Sequence, residues 1–204
     1  MKYMDCFRFL AERRNGELVV TSAGNSGKAW WAVSRDTEAT FYLDASMGLS
    51  TMFGAGLALS LPDQKIWAFM GDGAFCMNPG TLMVERQLDL PNLTHILVSN
   101  RHYGATSNAP LPNQKLNDYV AMAESMGVER AFSFDNLEAL RDGYDSVISG
   151  GNKGYSFVVL EVEPMTPDEQ KSNPQPPFDG PDLKYIFGTH VQNISGRKVL
   201  NYRL

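Results

Sequence analysis

Residues 65–74 read KIWAFMGDGA and residues 94–100 read THILVSN, two apolar runs of which the first ends in a Gly-Asp-Gly turn and the second in asparagine. Each run has the length and composition of a buried strand. One helical stretch separates them, as in a parallel sheet, so Asp72 and Asn100 follow the ends of two strands. Ligands bind at that edge of an open α/β sheet. A carboxylate and an amide oxygen beside a glycine turn suit a magnesium ion that holds a diphosphate.

Length and composition restrict the class of protein. The 204 residues are 43% hydrophobic, which predicts one domain with one sizeable core, and the net charge of −5 argues against nucleic acid as the main partner. No apolar run is long enough to span a bilayer, and the N-terminus lacks a signal pattern, so we expect no membrane association. Cys6 and Cys76 form neither a disulfide framework nor a metal cluster, which predicts a reduced, cytoplasmic setting with Cys76 as a small buried residue.

Apolar and amphipathic stretches alternate over residues 1–163. This alternation predicts an α/β three-layer sandwich in which helices cover both faces of a six-stranded, mainly parallel sheet. The predicted strands cover 18–20, 40–43, 65–70, 94–98, 131–132 and 156–162, and the predicted helices cover 6–14, 48–59, 79–89, 118–126 and 137–148.

The composition changes at residue 164. Residues 164–181 are rich in proline and polar residues, which predicts an extended linker, and the stretch from Tyr185 to Leu204 regains apolar residues without clear helical spacing. Three interpretations of residues 164–204 stay open: a tail that lies on its own domain, an inter-subunit arm, or a disordered segment.

A polar, glycine-containing loop is predicted at residues 21–28. It follows the first strand and should therefore lie at the same edge as Asp72. Gly24 and Asn25 could offer donors to a phosphate, although the spacing does not match a nucleotide-binding P-loop. A simple polar turn is an equally good interpretation.

The Gly-Asp-Gly turn, the later asparagine and the trailing Tyr103-Gly104 resemble the cofactor motif of the thiamine diphosphate-dependent 2-oxo acid decarboxylase family. Within it, residues 18–162 are similar to the diphosphate-binding (beta) subunits of sulfopyruvate decarboxylases and to the C-terminal half of phosphonopyruvate decarboxylases. Ser99 stands where the family usually has Asp or Asn, Ala45 stands where it more often has Gly, and residues 105–108 are only similar to the family pattern. The matching segments are 46–48, 71–74, 77–82 and 100–106.

The resemblance implies the cofactors thiamine diphosphate and Mg²⁺ and assigns residues to them. The side chains of Asp72 and Asn100 and the backbone carbonyl of His102 would bind Mg²⁺, and Met47 would support the bent thiamine. Taken alone, Asp72 is also interpretable as a helix-capping turn residue and Met47 as a core residue. The full set of expected cofactor contacts is Gly24, Asn25, Ala45, Ser46, Met47, Gly71, Asp72, Gly73, Ala74, Asn100, Tyr103 and Gly104.

The resemblance also implies a function, the decarboxylation of a small 2-oxo acid, with sulfo- and phosphono-acids as anionic options. The chain is too short for a second cofactor domain, so we expect a separate pyrimidine-binding subunit that supplies the activating glutamate, in an α2β2 or larger assembly. His102 is the candidate catalytic residue. Arg101, Lys28 and Asn108 are candidate substrate contacts, although each is also interpretable as a solvated loop residue. A carboligase and a non-catalytic scaffold subunit remain alternatives.

Overall fold

Six strands and nine helices occur in the residues that the computed structural model describes, which are 1–44, 46–149, 154–176 and 180–200. The strands are β1 (Leu18–Ser22), β2 (Thr40–Leu43), β3 (Ile66–Gly71), β4 (Leu93–Ser99), β5 (Ala131–Phe134) and β6 (Ser156–Glu161). The helices are α1 (Tyr3–Arg13), α2 (Asn25–Ser34), α3 (Ser50–Ser60), α4 (Asp72–Phe75), α5 (Thr81–Leu88), α6 (Tyr119–Ser125), α7 (Leu137–Val147), α8 (Pro167–Ser172) and α9 (Gly180–Ser195).

The strands form one sheet in the order β2-β1-β3-β4-β6-β5, and every pairing is parallel. This confirms the predicted six-stranded α/β sheet. The chain moves to one side of β1 to place β2 and to the other side to place β3. The carboxyl ends of β1 and β3 therefore flank a topological switch point, where open α/β sheets bind their ligands.

Helices cover both faces of the sheet, as predicted for a three-layer sandwich. Phe7 of α1 and Trp30 of α2 pack on Phe69, with ring centroids 5.2 and 5.3 Å from its ring. The opposite layer consists of α3, α5, α6 and α9, and the apolar residues that it covers include Ala68 and Met70. Successive residues of β3 thus face opposite layers and both faces are buried, as expected for a central parallel strand.

The segment after β6 differs from the prediction. A short helix, α8, interrupts the expected extended linker, because Thr166 and Glu169 form a capping box and Pro167 occupies the first turn. Residues 180–195 form α9, so the interpretation that this stretch lacks helical spacing is wrong. Leu183, Phe187 and Val191 recur every four residues and are buried. The Phe187 ring lies 5.4 Å from the ring of Phe41 in β2, so α9 packs on the sheet of its own chain.

No helix in the described part of the chain is both long enough and apolar enough to cross a membrane. The thiols of Cys6 and Cys76 are free. Cys6 is buried, but Cys76 is exposed at the end of α4, so the prediction that Cys76 is buried is wrong. The four residues of α4 are buried, but Cys76 follows them as the C-cap, and its side chain lies at the surface.

Candidate functional site

Four loops meet at the carboxyl edge of the sheet, and glycines permit their close approach. A β-carbon at Gly24 would lie 2.8 Å from the β-carbon of Ala105, and one at Gly73 would lie 3.0 Å from the Tyr103 ring. A β-carbon at Gly48 would lie 2.9 Å from the carbonyl oxygen of Ala74. These contacts join the loops that follow β1, β2, β3 and β4, so most of the predicted cofactor contacts lie in one region.

Asp72 begins α4 immediately after β3 and is 2% exposed. Its Oδ1 accepts a hydrogen bond from the amide of Gly73 (2.8 Å), and its Oδ2 accepts one from the amide of Arg101 (2.6 Å). Burial raises the pKa of this carboxyl group to about 6, although these two amides oppose the shift. A nearby cation would favour the ionised form. The Asp72 side chain thus links the turn after β3 to the loop after β4.

Asn100 is buried at the end of β4, and its Oδ1 accepts a hydrogen bond from the amide of His102 (3.0 Å). The half-buried His102 ring places Nδ1 2.8 Å from the carbonyl oxygen of Asn100, and Gln114 Nε2 lies 3.2 Å from its Nε2. Both ring nitrogens therefore have neighbours within the chain. The catalytic role of His102 stays a prediction.

Asn25 is the first residue of α2, and its side chain is 8% exposed. Its Nδ2 has no hydrogen-bond partner among the described residues. The predicted loop 21–28 is shorter than expected: α2 starts at Asn25, because the buried Ala29 and Trp30 attach this helix to the sheet. The amino terminus of a ten-residue helix and a buried, unpaired amide donor therefore lie at this edge, and both suit an anion.

A cavity of about 310 Å³ lies between the loops that follow β1 and β2. Its polar lining includes Ser22, Lys28, Asp44 and Ser46, and Gln175 from the segment after α8 lies at its wall. Lys28 thus lines this cavity, and Asn108 lies in an exposed part of the loop after β4. Arg101 lines a separate, more open cavity with Glu161.

Met47 lies in the turn between β2 and α3, and its side chain is 43% exposed. The alternative that Met47 is a core residue is therefore wrong. Ser50 Oγ donates a hydrogen bond to the carbonyl oxygen of Phe69 (2.9 Å), which fixes the start of α3 against β3. Gly48 has a φ of +76°, and a β-carbon at this position would lie 2.9 Å from the carbonyl oxygen of Ala74, so the turn lies against α4. Ala45 lies outside the described residues.

The side chain of Arg101 is hydrogen-bonded to other residues of the chain. Its Nε and Nη2 donate to the two carboxylate oxygens of Glu161 at 3.1 and 2.5 Å. The charge of Arg101 is thus already paired within the chain, and its contact with a substrate anion stays a prediction. Glu161 has no role among the predicted site residues. A charged residue that ends an apolar strand at the ligand-binding edge was the signal that could have identified it.

The donor set fits the implied cofactors. A buried carboxylate, a buried carboxamide and a backbone carbonyl are oxygen ligands of the kind that Mg²⁺ takes, with its other positions left to phosphate and water. The described residues contain no group of three His, Cys, Asp or Glu that could hold a metal ion, which is the set a structural zinc site would use. The unpaired Asn25 amide and the close approach of loops at Gly104 leave a polar cradle for a diphosphate.

Comparison with known proteins supports the assignment of a thiamine diphosphate site. The family described as "Thiamine pyrophosphate enzyme, C-terminal TPP binding domain" matches residues 22–162. The chain is 31% identical over 160 residues to "Sulfopyruvate decarboxylase subunit beta" of Methanococcus maripaludis, an alignment that covers 78% of this chain and 83% of that protein. It is 28% identical to "Sulfopyruvate decarboxylase" of Methanosarcina acetivorans over 81% of this chain and 44% of that protein.

The fold also resembles solved structures of longer proteins. The crystal structure of benzoylformate decarboxylase from Polynucleobacter necessarius aligns with a TM-score of 0.67 and 23% identity, over 81% of this chain and 34% of that chain. A thiamine diphosphate-dependent 4-hydroxybenzoylformate decarboxylase from Rhodococcus jostii RHA1 aligns with a TM-score of 0.65 and 18% identity, over 80% of this chain and 33% of that chain. The chain thus spans about a third of these proteins, and at this identity the likeness concerns the fold.

Proposed function

Because the chain belongs to the thiamine pyrophosphate enzymes and has the fold of their C-terminal TPP-binding domain, we propose that it is the diphosphate-binding subunit of a two-chain decarboxylase acting on a small 2-oxo acid. The predicted family and cofactor are confirmed by this match. The relative from M. maripaludis, which the chain covers almost fully, is named as a decarboxylase subunit, and this favours decarboxylation over carboligation. The observation that carries the proposal is the buried Asp72 carboxylate, hydrogen-bonded to the loop that begins with Asn100.

In this proposal Asp72, Asn100 and the carbonyl of His102 hold Mg²⁺. When bound, thiamine diphosphate supplies an electron sink for the carbon that loses CO₂. Asn25 and the backbone amides of Gly24 and Ala74 bind the diphosphate, while the Gly73 amide orients the Asp72 carboxylate. The turn that contains Met47 supports the thiamine. Gly71, Tyr103 and Gly104 shape the backbone around the diphosphate, and Ala45 and Ser46 complete the thiamine side.

A second polypeptide supplies the activating glutamate in our proposal. Glu161 lies at the ligand-binding edge but is paired with Arg101, and Glu85 is fully buried beside His95. Met47 and Leu49 are large apolar side chains exposed next to the site, where a partner would cover them. We propose an α2β2 or larger assembly. The relative's designation as a beta subunit supports a heteromeric enzyme.

We propose further that the substrate is a small 2-oxo acid with a second anionic group. Sulfopyruvate is the acid in the names of two relatives. Lys28 in the cavity wall is a cation that could pair with a sulfonate or carboxylate. The two free thiols suit a reducing compartment, which supports a cytoplasmic location.

The test is a decarboxylase assay with sulfopyruvate, phosphonopyruvate and pyruvate, on the chain alone and on the chain combined with a candidate partner subunit. We expect turnover in the combination, little in the chain alone, and loss of more than about a hundredfold in Asp72→Ala. Asp63→Ala, at an exposed position in the turn before β3, is the matched control. Substantial turnover by the chain alone would contradict the two-chain proposal. A fully active Asp72→Ala complex would contradict the catalytic one.

A further inference from the structure

The loop of residues 101–117 carries the proposed cation ligand His102, yet no helix or strand longer than a single bridge supports it. It contains three non-glycine residues with positive φ, namely Arg101 (63°), Asn108 (54°) and Asn113 (53°). Such conformations are disfavoured for residues with a side chain and persist where the surrounding structure holds them. Backbone hydrogen bonds within the loop, such as those from the amides of Tyr103 and Leu111, close its turns, and side chains attach these turns to the rest of the domain.

Arg101 provides such attachments with its side chain. Beyond the two bonds to Glu161, its Nη1 donates to the carbonyl oxygens of Gln114 (3.1 Å) and Asn117 (2.6 Å). Its guanidinium also lies 5.3 Å from the ring centroid of Tyr119 in α6. One planar group thus ties together the start of the loop, the end of the loop and the end of β6. Only an arginine has this fork of donors.

The backbone of Arg101 faces the cation site. Its amide donates to Asp72 Oδ2, and its carbonyl accepts from the amide of Leu111 (3.0 Å) and from Gln114 Nε2 (3.2 Å). Leu111 is buried, and a β-carbon at Gly73 would lie 3.9 Å from its side chain. The backbone of Arg101, between the proposed ligands Asn100 and His102, is therefore held by hydrogen bonds at both its amide and its carbonyl group.

We propose that Arg101 is a positioning residue, and that its ion pair with Glu161 holds the loop of residues 101–117 in the form that binds the cation. The identity of the cation in this inference rests on the proposed function. The hydrogen bonds and the ion pair of Arg101 are present in the structure whatever the function is. Loss of the ion pair should release the strained backbone at Arg101 and move the Asn100 and His102 ligands apart. The charge of Arg101 acts through the loop and contacts neither substrate nor cofactor.

The test compares Arg101→Gln and Glu161→Gln with Arg14→Gln in the full chain. Arg14 forms the matched control pair, a part-buried ion pair with Asp36 (2.6 Å). Its guanidinium also donates to the carbonyl oxygens of Glu17 and Ala39, which precede β1 and β2, so the pair lies at the amino edge of the sheet, opposite the β4 loop. Hydrogen exchange reports the order of the loop without cofactor, and calorimetry with Mg²⁺ and thiamine diphosphate reports binding.

We expect Arg101→Gln and Glu161→Gln to speed exchange of the Tyr103, Asn108 and Leu111 amides by at least about tenfold and to weaken Mg²⁺-dependent cofactor binding by about tenfold or more. Arg101→Lys should restore little of either, because a single ammonium cannot make the forked contacts. Arg14→Gln should lower thermal stability but leave loop exchange and cofactor binding unchanged.

The inference is overturned if the loop amides of Arg101→Gln exchange at the wild-type rate. It is also overturned if Arg14→Gln speeds the exchange of the same amides equally, because a general loss of stability would then explain both results. Full rescue by Arg101→Lys would also contradict it. If the wild-type chain binds no thiamine diphosphate with Mg²⁺, either alone or with its partner, the proposed function fails, while the exchange result still decides whether Arg101 orders the loop.

Discussion

Asn25 and Asn100 meet across Gly104. A β-carbon at position 104 would lie 2.6 Å from Asn100 Nδ2 and 3.0 Å from Asn25 Nδ2. The first amide belongs to the proposed cation ligand, and the second has no hydrogen-bond partner in the part of the chain that the structure describes. The absence of a side chain at Gly104 thus keeps together two polar groups from different loops, at the switch point where the diphosphate is expected.

Gly104→Ala should therefore push the two amides apart. We expect Mg²⁺-dependent binding of thiamine diphosphate to weaken by about tenfold or more, since the added carbon leaves no room for both side chains. Gly56→Ala is the control, because Gly56 lies within α3 and its β-carbon would meet nothing within 4 Å. That variant should bind the cofactor normally and gain about 0.5–1 kcal/mol in stability. Equal cofactor binding by both variants would contradict this account of Gly104.

Asn25→Ala separates binding from stability. Because Asn25 Nδ2 donates to no group in the described ranges of the chain, we expect little change in the free energy of unfolding. We expect a loss of about tenfold or more in cofactor affinity, the effect of one hydrogen bond to a charged group. Asn92→Ala should do the reverse. Asn92 Nδ2 contacts the carbonyl oxygens of Ala58, Leu61 and Gln64, so its loss should cost roughly 1–3 kcal/mol of stability and leave binding intact. Calorimetry and urea unfolding on both variants check the pair.

Glu85→Ala should destabilise the fold strongly. The carboxylate of Glu85 lies 2.9 Å from His95 Nδ1 in the core and also accepts the hydroxyl of Tyr155, and all three side chains are buried. Its removal leaves buried polar groups unpaired, which should cost about 3–5 kcal/mol in the free energy of unfolding. Glu129→Ala removes an exposed partner of Arg86 and should change stability by less than about 1 kcal/mol. Similar midpoints for the two variants in thermal unfolding would refute the prediction.

Asp36 should make the fold sensitive to acid. Burial raises the pKa of this carboxyl group, but hydrogen bonds from the Ala39 amide, Arg14 and Thr40 outweigh burial and leave the pKa below its usual value. An acid with a lowered folded-state pKa stabilises the fold above its unfolded-state pKa, and this contribution is lost as the pH falls through the folded-state pKa. Asp36→Asn should thus lower the free energy of unfolding at pH 7. It should also make the decline of this free energy with falling pH less steep than in the wild type. Parallel pH profiles of urea unfolding for both proteins would show that Asp36 does not contribute.

Much of the sheet could be predicted from sequence, because its central strands are buried on both faces and read as unbroken apolar runs, such as residues 66–70 and 156–160. Helix α9 was missed for a physical reason. Its buried residues repeat every four positions, but the apolar Tyr185 and Ile194 are exposed and Gly188 lies within the buried stripe, which obscures the pattern. Its burial depends on contact with β2, which is distant in sequence.

The cofactor edge could be predicted from strand ends and glycine turns, whereas the role of individual charges could not. The sequence predicts Arg101 as an unpaired cation on a loop, because the carboxylate that pairs with it lies 60 residues later in the chain. Similarly, the sequence predicts Asn25 as a loop residue, whereas in the structure α2 begins at Asn25 and the buried Trp30 packs this helix on the sheet. Long-range pairing of this kind leaves no periodic signal in a single sequence.

The central claim is that Asp72 and Asn100 bind one divalent cation together with thiamine diphosphate. The most direct test is the binding of Mn²⁺, an oxygen-preferring substitute for Mg²⁺, in the presence of thiamine diphosphate. It is measured by electron paramagnetic resonance on the wild-type chain, Asp72→Ala, Asn100→Ala and the double variant, each with a candidate partner subunit. If the two side chains share the ion, each single variant should lose nearly as much affinity as the double variant, because the losses at a shared site do not add. Independent, additive losses, or wild-type Mn²⁺ binding by either single variant, would contradict the claim.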